Sequence, residues 1–154
     1  MNTTFDFAQE SKKLENLQNG QNWAFCDIGS FDEVKDYVME NKEINLKCPS
    51  KLFLHKVLGL SGAEISFNAL PAGMKSPLSH KHKENEEIII VLSGEGTFDV
   101  DNEIIQVKEG SVLRIAPEGV RAVSAAKGAG LTYICIQVKS NSLQNYTLTD
   151  AEML

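Results

Sequence analysis

After Pro49 the chain is divided by turn-forming residues into short apolar or alternating runs. The runs are KLFLHKVLGL, AEISFNAL, EIIIVL, GTFDV, EIIQV, SVLRIA, RAVSA and LTYICIQV, and the separators are SG, PAG, SGEG, DN, KEG, PEG and KGAG. Strands of about four to eight residues bounded by Gly, Pro, Asn and Asp predict an all-β sandwich or barrel. Asp101-Asn102 is placed to form a tight hairpin turn. Because no long helix interrupts this part of the sequence, a parallel sheet with helical crossovers is disfavoured.

The first fifty residues have a more mixed pattern. A capping box begins at Ser30 and precedes apolar residues at helical spacing, which predicts a helix over 31–41. A weaker apolar pattern predicts an earlier helix over Glu10–Gln18, and NWAFCDI between the two helices favours a strand. The predicted organisation has three parts: a short helical N-terminal extension with a possible edge strand (1–50), a β-barrel (51–139) and a polar C-terminal tail (140–154).

Composition and charge limit the classes of function. A chain of 154 residues with 42% hydrophobic and 23% charged residues is typical of one soluble globular domain. Its formal charge of −6, with no basic cluster, argues against nucleic-acid binding through phosphates. The longest apolar run, Ile88–Leu92, is too short to span a bilayer. No secretory pattern opens the sequence, and Cys26, Cys48 and Cys135 form no disulfide framework, so we expect a cytoplasmic protein with reduced thiols.

The stretch SHKHKENEE contains the residues that best fit a metal site. His80 and His82 would point the same way on a strand, because residues i and i+2 share a face. Glu87 follows His82 by five residues, an odd separation that would put it on the opposite face of the same strand. The polar Lys83-Glu84-Asn85 can form a turn that places Glu87 beside the histidines. Two imidazoles and a carboxylate match the triad that holds Fe(II) and related ions. Taken alone, H-x-H is a weak motif, and a solvated surface pair is the alternative.

The order of these residues resembles the first motif of the cupin superfamily, G-x5-H-x-H-x3,4-E-x6-G. The matching positions, with one extra residue in the first gap, are Gly73, His80, His82, Glu87 and Gly94. The second motif, G-x5-P-x-G-x2-H-x3-N, is matched in part by Gly110, Pro117 and Gly119. The resemblance extends from Leu52 to Val138. It implies a mostly β fold, the cupin-type double-stranded β-helix or jelly-roll barrel, and a homodimer.

The second motif also departs from the family pattern. Ala122 stands where the family has its third histidine, and Ala126 stands where it has asparagine. The neighbouring Arg121 cannot bind a cation. The resemblance therefore implies one of two states: a divalent ion (Fe, Mn, Ni or Zn) on the two histidines and Glu87, or a barrel that has lost its metal.

A few other side chains are further candidates for the site. His55 is the remaining histidine and a candidate for the missing ligand, although a lone histidine among apolar neighbours is more often a packed side chain. Cys135 reads as a small buried hydrophobe. Arg114 and Arg121 are the only arginines, and a guanidinium suits a carboxylate or phosphate near the barrel mouth. The alternative for each arginine is a salt bridge with a protein carboxylate.

Two functions stay open at this point. In the first, the metal site makes the protein an enzyme that dioxygenates or isomerises a small acid or sugar, with Glu84 or Glu86 as proton carriers at the rim. In the second, the barrel binds a small molecule without catalysis, which the alanine at position 122 favours. Both predict a small-molecule ligand, and neither involves nucleic acid or a membrane.

Overall fold

The computed structural model describes residues 14–41 and 45–154, and it confirms a mostly β chain. The described strands are β1 (Glu15–Asn19), β2 (Ala24–Asp27), β3 (Val38–Asn41), β4 (Leu46–Pro49), β5 (Lys51–Phe53), β6 (Glu64–Leu70), β7 (Asn85–Val100), β8 (Glu103–Lys108), β9 (Val112–Ile115), β10 (Arg121–Ala125) and β11 (Leu131–Lys139). A 3-10 helix covers Phe31–Asp36, and a four-residue helix, α1, covers His55–Leu58. Within 14–41 and 45–154, neither helical segment has the length and apolar character needed to cross a membrane.

The long strand β7 organises the barrel. Seven strands form one antiparallel sheet in the order β10-β7-β11-β6-β5, with β8 and β9 also paired to β7. The first part of β7 pairs with β9 and β11, and its second part pairs with β8 and β10. This one strand therefore contributes to both walls of the barrel.

Gly94 lets β7 pass from one wall to the other. The prediction of a turn at SGEG was wrong, because residues 85–100 form one continuous strand. Gly94 has a φ of 77°, and a Cβ at this position would lie 1.7 Å from the carbonyl oxygen of Gly130. Pairing with β11 shifts register beside it, between Thr132 and Tyr133. A glycine bulge thus redirects the strand without ending it.

The predicted hairpin at Asp101-Asn102 is confirmed. Both residues have a positive φ, 53° and 69°, as a two-residue turn matched to strand twist requires. The turn joins β7 to β8, with Val100 opposite Glu103. In addition, the side chain of Asp101 accepts a hydrogen bond of 2.8 Å from the backbone N–H of Val120.

The core lies between the two walls and follows the two-residue period of the strands. In β7 the buried positions alternate with less buried ones, and β11 shows the same alternation. Phe98 meets Tyr133 edge to face, with ring centroids 5.6 Å apart. The buried cluster comprises Ile89, Val91, Phe98, Val107, Ile115, Ala125, Leu131, Tyr133 and Cys135.

The helical N-terminal extension is not supported. The helix predicted over 31–41 is a 3-10 helix that ends at Asp36, and β3 follows it. Tyr37 is extended, and its carbonyl accepts a hydrogen bond from the backbone N–H of Ser50, so the chain turns into a strand. Of the helix predicted over Glu10–Gln18, residues 10–13 lie outside the described ranges and residues 15–18 belong to β1. β1 pairs with β2, which confirms the strand predicted in NWAFCDI.

We expect Gly94→Ala to lower the free energy of unfolding by about 3 kcal/mol or more, because it adds a backbone clash to an unfavourable φ. Gly110→Ala is the matched control, since Gly110 has a φ of 83° but open space around it. It should cost only about 1–2 kcal/mol. Urea titrations of both variants measure the difference, and equal losses would contradict the role given to the Gly94–Gly130 contact.

Candidate metal centre

The two histidines lie in a loop that is held along the edge of β10. The backbone N–H of His80 donates to the carbonyl of Arg121 at 3.1 Å, and the N–H of Arg121 donates back at 2.9 Å. The N–H of His82 donates to the carbonyl of Pro117 at 3.0 Å. The strand assumed for this segment is reduced to single bridges, yet both rings reach the same place. Their centroids are 5.2 Å apart and nearly perpendicular.

Glu87 completes the predicted triad from the start of β7. The turn expected after His82 is present, since residues 83 and 84 bend and the strand begins at Asn85. One carboxylate oxygen of Glu87, Oε1, lies 2.8 Å from Nε2 of His82 and 4.0 Å from Nε2 of His80. The side chain of Glu87 is 7% exposed, whereas those of His82 and His80 are 22% and 54% exposed. The site thus runs from the barrel interior to the surface.

The donor set fits a divalent transition metal. The three ligand atoms, two imidazole nitrogens and one carboxylate oxygen, all lie within 4.8 Å of one another. Atoms that bind one ion at about 2.1 Å stand about 3 Å apart when they subtend a right angle. Nε2 of His82 and Oε1 of Glu87 are already at about that spacing, and His80, at 4.0 Å from Oε1, is the exposed member of the set. His80, His82 and Glu87 could therefore hold a metal ion.

Arg121 is the residue of β10 that contacts this triad. Its side chain is 2% exposed, and Nε lies 3.2 Å from Oε2 of Glu87. Nη2 donates to the carbonyl of Ala116 at 3.1 Å. The motif spacing places the lost histidine at Ala122, but the side chain that faces Glu87 belongs to the residue before it. Sequence spacing alone could not show this, because which β10 residue faces Glu87 depends on the register between β10 and β7.

The two oxygens of Glu87 have different neighbours: Oε1 faces the histidines and Oε2 faces Arg121. Burial alone would raise the pKa of Glu87. The adjacent imidazoles of His80 and His82 and the charge of Arg121 together outweigh burial and lower the pKa to about 2. Glu87 is therefore a carboxylate at every ordinary pH. Burial, with the negative charge of Glu87, raises the pKa of Cys135 to about 12, so that side chain is a neutral thiol.

A cavity of about 90 Å³ lies beside the triad, between the walls of the barrel. Its polar lining includes Lys51, His80, Glu87 and Arg121, and Ile89 and Phe98 belong to its apolar side. Cys135, predicted as a buried hydrophobe, is buried and lines the same cavity. The candidate metal ligands therefore border a partly open cavity between the walls of the barrel.

Two residues of the cavity, Ser66 and Asn68, were missed from the sequence. They are buried on the inner face of β6, where the amide of Asn68 donates to the hydroxyl of Ser66 at 3.0 Å. In AEISFNAL the alternate positions are apolar and would be assigned to the core. Instead Phe67 points to the other side and stacks on Phe31, with centroids 5.7 Å apart. Polar residues at period two, in a strand otherwise apolar, were the available signal.

The other predicted candidates lie outside this group. Arg114 is exposed and donates to the carboxylate of Glu86 at 2.5 Å, which is the salt bridge considered as its alternative. Glu84 is exposed and pairs with Lys139 at 3.3 Å. His55 is exposed at the start of α1, where its backbone N–H donates to the side chain of Glu64, and it does not join the metal-binding group.

Comparisons with known proteins agree with this architecture. Residues 67–137 match the family model of the cupin domain. The chain is 30% identical over 126 residues to an uncharacterised protein of Methanocaldococcus jannaschii, a match covering 80% of this chain and 91% of that protein. A crystal structure of a cupin protein from Bacteroides fragilis has 48% identity and a TM-score of 0.66, over 68% of this chain and 88% of that one. A sugar phosphate isomerase of a cupin superfamily, from Silicibacter pomeroyi, has 23% identity and a TM-score of 0.52 over 58% of this chain and 59% of that one, a likeness of fold alone.

The ion pair between Glu87 and Arg121 predicts a pH-dependent loss of stability in the metal-free protein. The lowered pKa means that ionised Glu87 stabilises the fold fully above pH 4.5, and that this contribution is lost as the pH falls toward 2. Glu87→Gln leaves the buried Arg121 without its counter-charge, so we expect a loss of about 3 kcal/mol at pH 7. The difference from the wild type should shrink between pH 4.5 and 2.

The measurement is chemical denaturation of chelator-treated protein at several pH values. Glu86→Gln is the matched control, because it breaks a more exposed ion pair and should cost less than about 1 kcal/mol. A Glu87→Gln variant as stable as the wild type at pH 7, or a difference unchanged at low pH, would show that the buried pair does not stabilise the fold.

Proposed function

The chain belongs to the cupin superfamily, and from that premise we propose that it binds a divalent metal ion and a small oxygenated or anionic molecule in its barrel. The observation that carries the proposal is the convergence of His80, His82 and Glu87 at the edge of an interior cavity. An isolated surface pair of histidines would have neither a buried carboxylate nor a cavity beside it.

The donor set supports an ion that keeps positions open for a ligand. Three protein ligands leave at least one coordination position free on a tetrahedral ion and more on an octahedral one. Iron, manganese, nickel and zinc all accept two imidazoles and a carboxylate. When bound, such an ion polarises an oxygen of its ligand or activates dioxygen.

The residues of this chain supply position and environment. The backbone bridges between His80 and Arg121 fix the loop, and the 3.2 Å contact with Arg121 orients Glu87. The cavity wall formed by Ile89 and Phe98 limits the water beside the ligand. These features suit an enzyme that dioxygenates or isomerises a small acid or sugar, the first form of the proposal.

One observation favours the second form, a barrel that binds its ligand without a metal. Glu87 and Arg121 already balance each other's charge, and the carboxylate also accepts a hydrogen bond from His82. A buried carboxylate that already has these partners can persist without an ion. The two forms differ in a measurable quantity, the metal content of the purified protein.

We expect protein purified without a histidine tag to contain close to one equivalent of iron, manganese, nickel or zinc by inductively coupled plasma mass spectrometry. His82→Ala should lose at least nine-tenths of that metal, because one of three ligands is gone. His55→Ala is the matched control, since it removes an exposed histidine outside the group and should leave the content unchanged. Wild-type protein that stays empty after anaerobic incubation with Fe(II) and Mn(II) would eliminate the metal-binding form.

A further inference from the structure

We propose that Arg121 makes the cavity selective for a small carboxylate or similar oxyanion, and that this anion and the metal ion strengthen each other's binding. The inference rests on the proposed metal site and names the class of ligand that the site takes. Its basis is the hydrogen-bonding state of Arg121, its place in the cavity, and the charge of the site.

The guanidinium of Arg121 has hydrogen-bond donors to spare. Its side chain is 2% exposed, and of its three nitrogens only Nη2 makes a hydrogen bond, to the carbonyl of Ala116. Nε lies near Oε2 of Glu87 without hydrogen-bond geometry, and Nη1 has no partner among residues 14–41 and 45–154. Buried donors without acceptors are unfavourable, so an acceptor that enters the cavity gains the free energy of pairing with them.

The spare donors and the metal ligands border the same small space. Arg121, His80 and Glu87 all line the cavity of about 90 Å³. Since a water needs about 10–15 Å³ of cavity volume, the cavity has room for at most about six to nine water-sized groups. A molecule of that size can place one oxygen on an ion at the triad and another on the guanidinium. A carboxylate carries two oxygens on one carbon and pairs well with a guanidinium, so it can contact both groups at once.

Charge favours an anion over a neutral sugar. With neutral imidazoles, the charged residues that line the cavity, Glu87, Arg121 and Lys51, sum to +1. A divalent ion raises that sum to +3 in a largely buried place, where an uncompensated charge is costly. An anion lowers the sum, and a neutral hydroxyl compound does not. The ion should therefore raise the affinity for the anion and, by linkage, the anion should raise the affinity for the ion by the same factor.

Arg121 also approaches the triad from β10, the strand that carries the family's fourth-ligand position at Ala122. It is the β10 side chain that contacts Glu87, and a guanidinium repels a cation. A site with a positive group in that position cannot close around the ion with protein atoms alone. The exogenous oxyanion becomes the fourth partner, held between the ion and Arg121.

The test is a Mn²⁺ titration by isothermal calorimetry, in chloride and then with acetate or the neutral acetamide at equal ionic strength. We expect acetate to tighten Mn²⁺ binding about tenfold and acetamide to leave it unchanged. Arg121→Gln should abolish the acetate effect, while far-ultraviolet circular dichroism checks that it folds. Arg114→Gln removes the same charge from an exposed ion pair and should keep the full effect.

Every outcome of these titrations supports or overturns the inference. Mn²⁺ binding that acetate does not change, or that acetamide strengthens equally, overturns the inference and leaves the metal site intact. An acetate effect retained by Arg121→Gln also overturns it. If Mn²⁺ binds neither in chloride nor in acetate, the metal-binding form of the proposed function falls together with the inference. The absence of binding in both titrations distinguishes that failure from the others, in which Mn²⁺ binds.

Discussion

The close approach of Gly94 to the carbonyl of Gly130 is the contact on which the rest of the barrel depends. It allows β7 to run unbroken for 16 residues and to pair with four strands in both walls. Because a side chain would meet that oxygen at 1.7 Å, only glycine permits the passage. Glu87 near one end of the strand is thereby fixed relative to Arg121, which pairs opposite Val100 at the other end. The carboxylate and the guanidinium meet because β7 changes direction at Gly94, between the two positions.

The sequence predicted what depends on local patterns. Alternating runs indicated the strands, two residues able to adopt positive φ indicated the Asp101-Asn102 hairpin, and the order of His80, His82 and Glu87 indicated the triad. The errors fall where a partner far along the chain decides the outcome. The helical apolar pattern extends the predicted helix to residue 41, but pairing of β3 with β4 places Val38–Asn41 in a strand. SGEG has turn composition, but the distant Gly130 makes it a bulge.

The candidate site shows the same division between local and long-range determinants. The sequence shows directly which residues carry imidazole or carboxylate groups, and it shows that position 122 has no histidine. It does not show which β10 side chain faces the triad, because a shift of one residue in register moves every side chain of a strand to the opposite face. Arg121 occupies the inward position only because it pairs with Val100. Ser66 and Asn68 face the interior because Phe67, which lies between them, points to the opposite face and stacks on Phe31.

The histidine loop is attached to β10 through main-chain atoms alone at position 121, where one N–H and one carbonyl make both bonds. Because only main-chain atoms take part, these two bonds do not depend on which side chain position 121 carries. Exchange of the residue at this position can therefore alter the charge and shape of the cavity while the loop keeps its course. The course of the backbone that brings the two histidines together and the side chain that faces Glu87 from β10 can thus vary independently of each other.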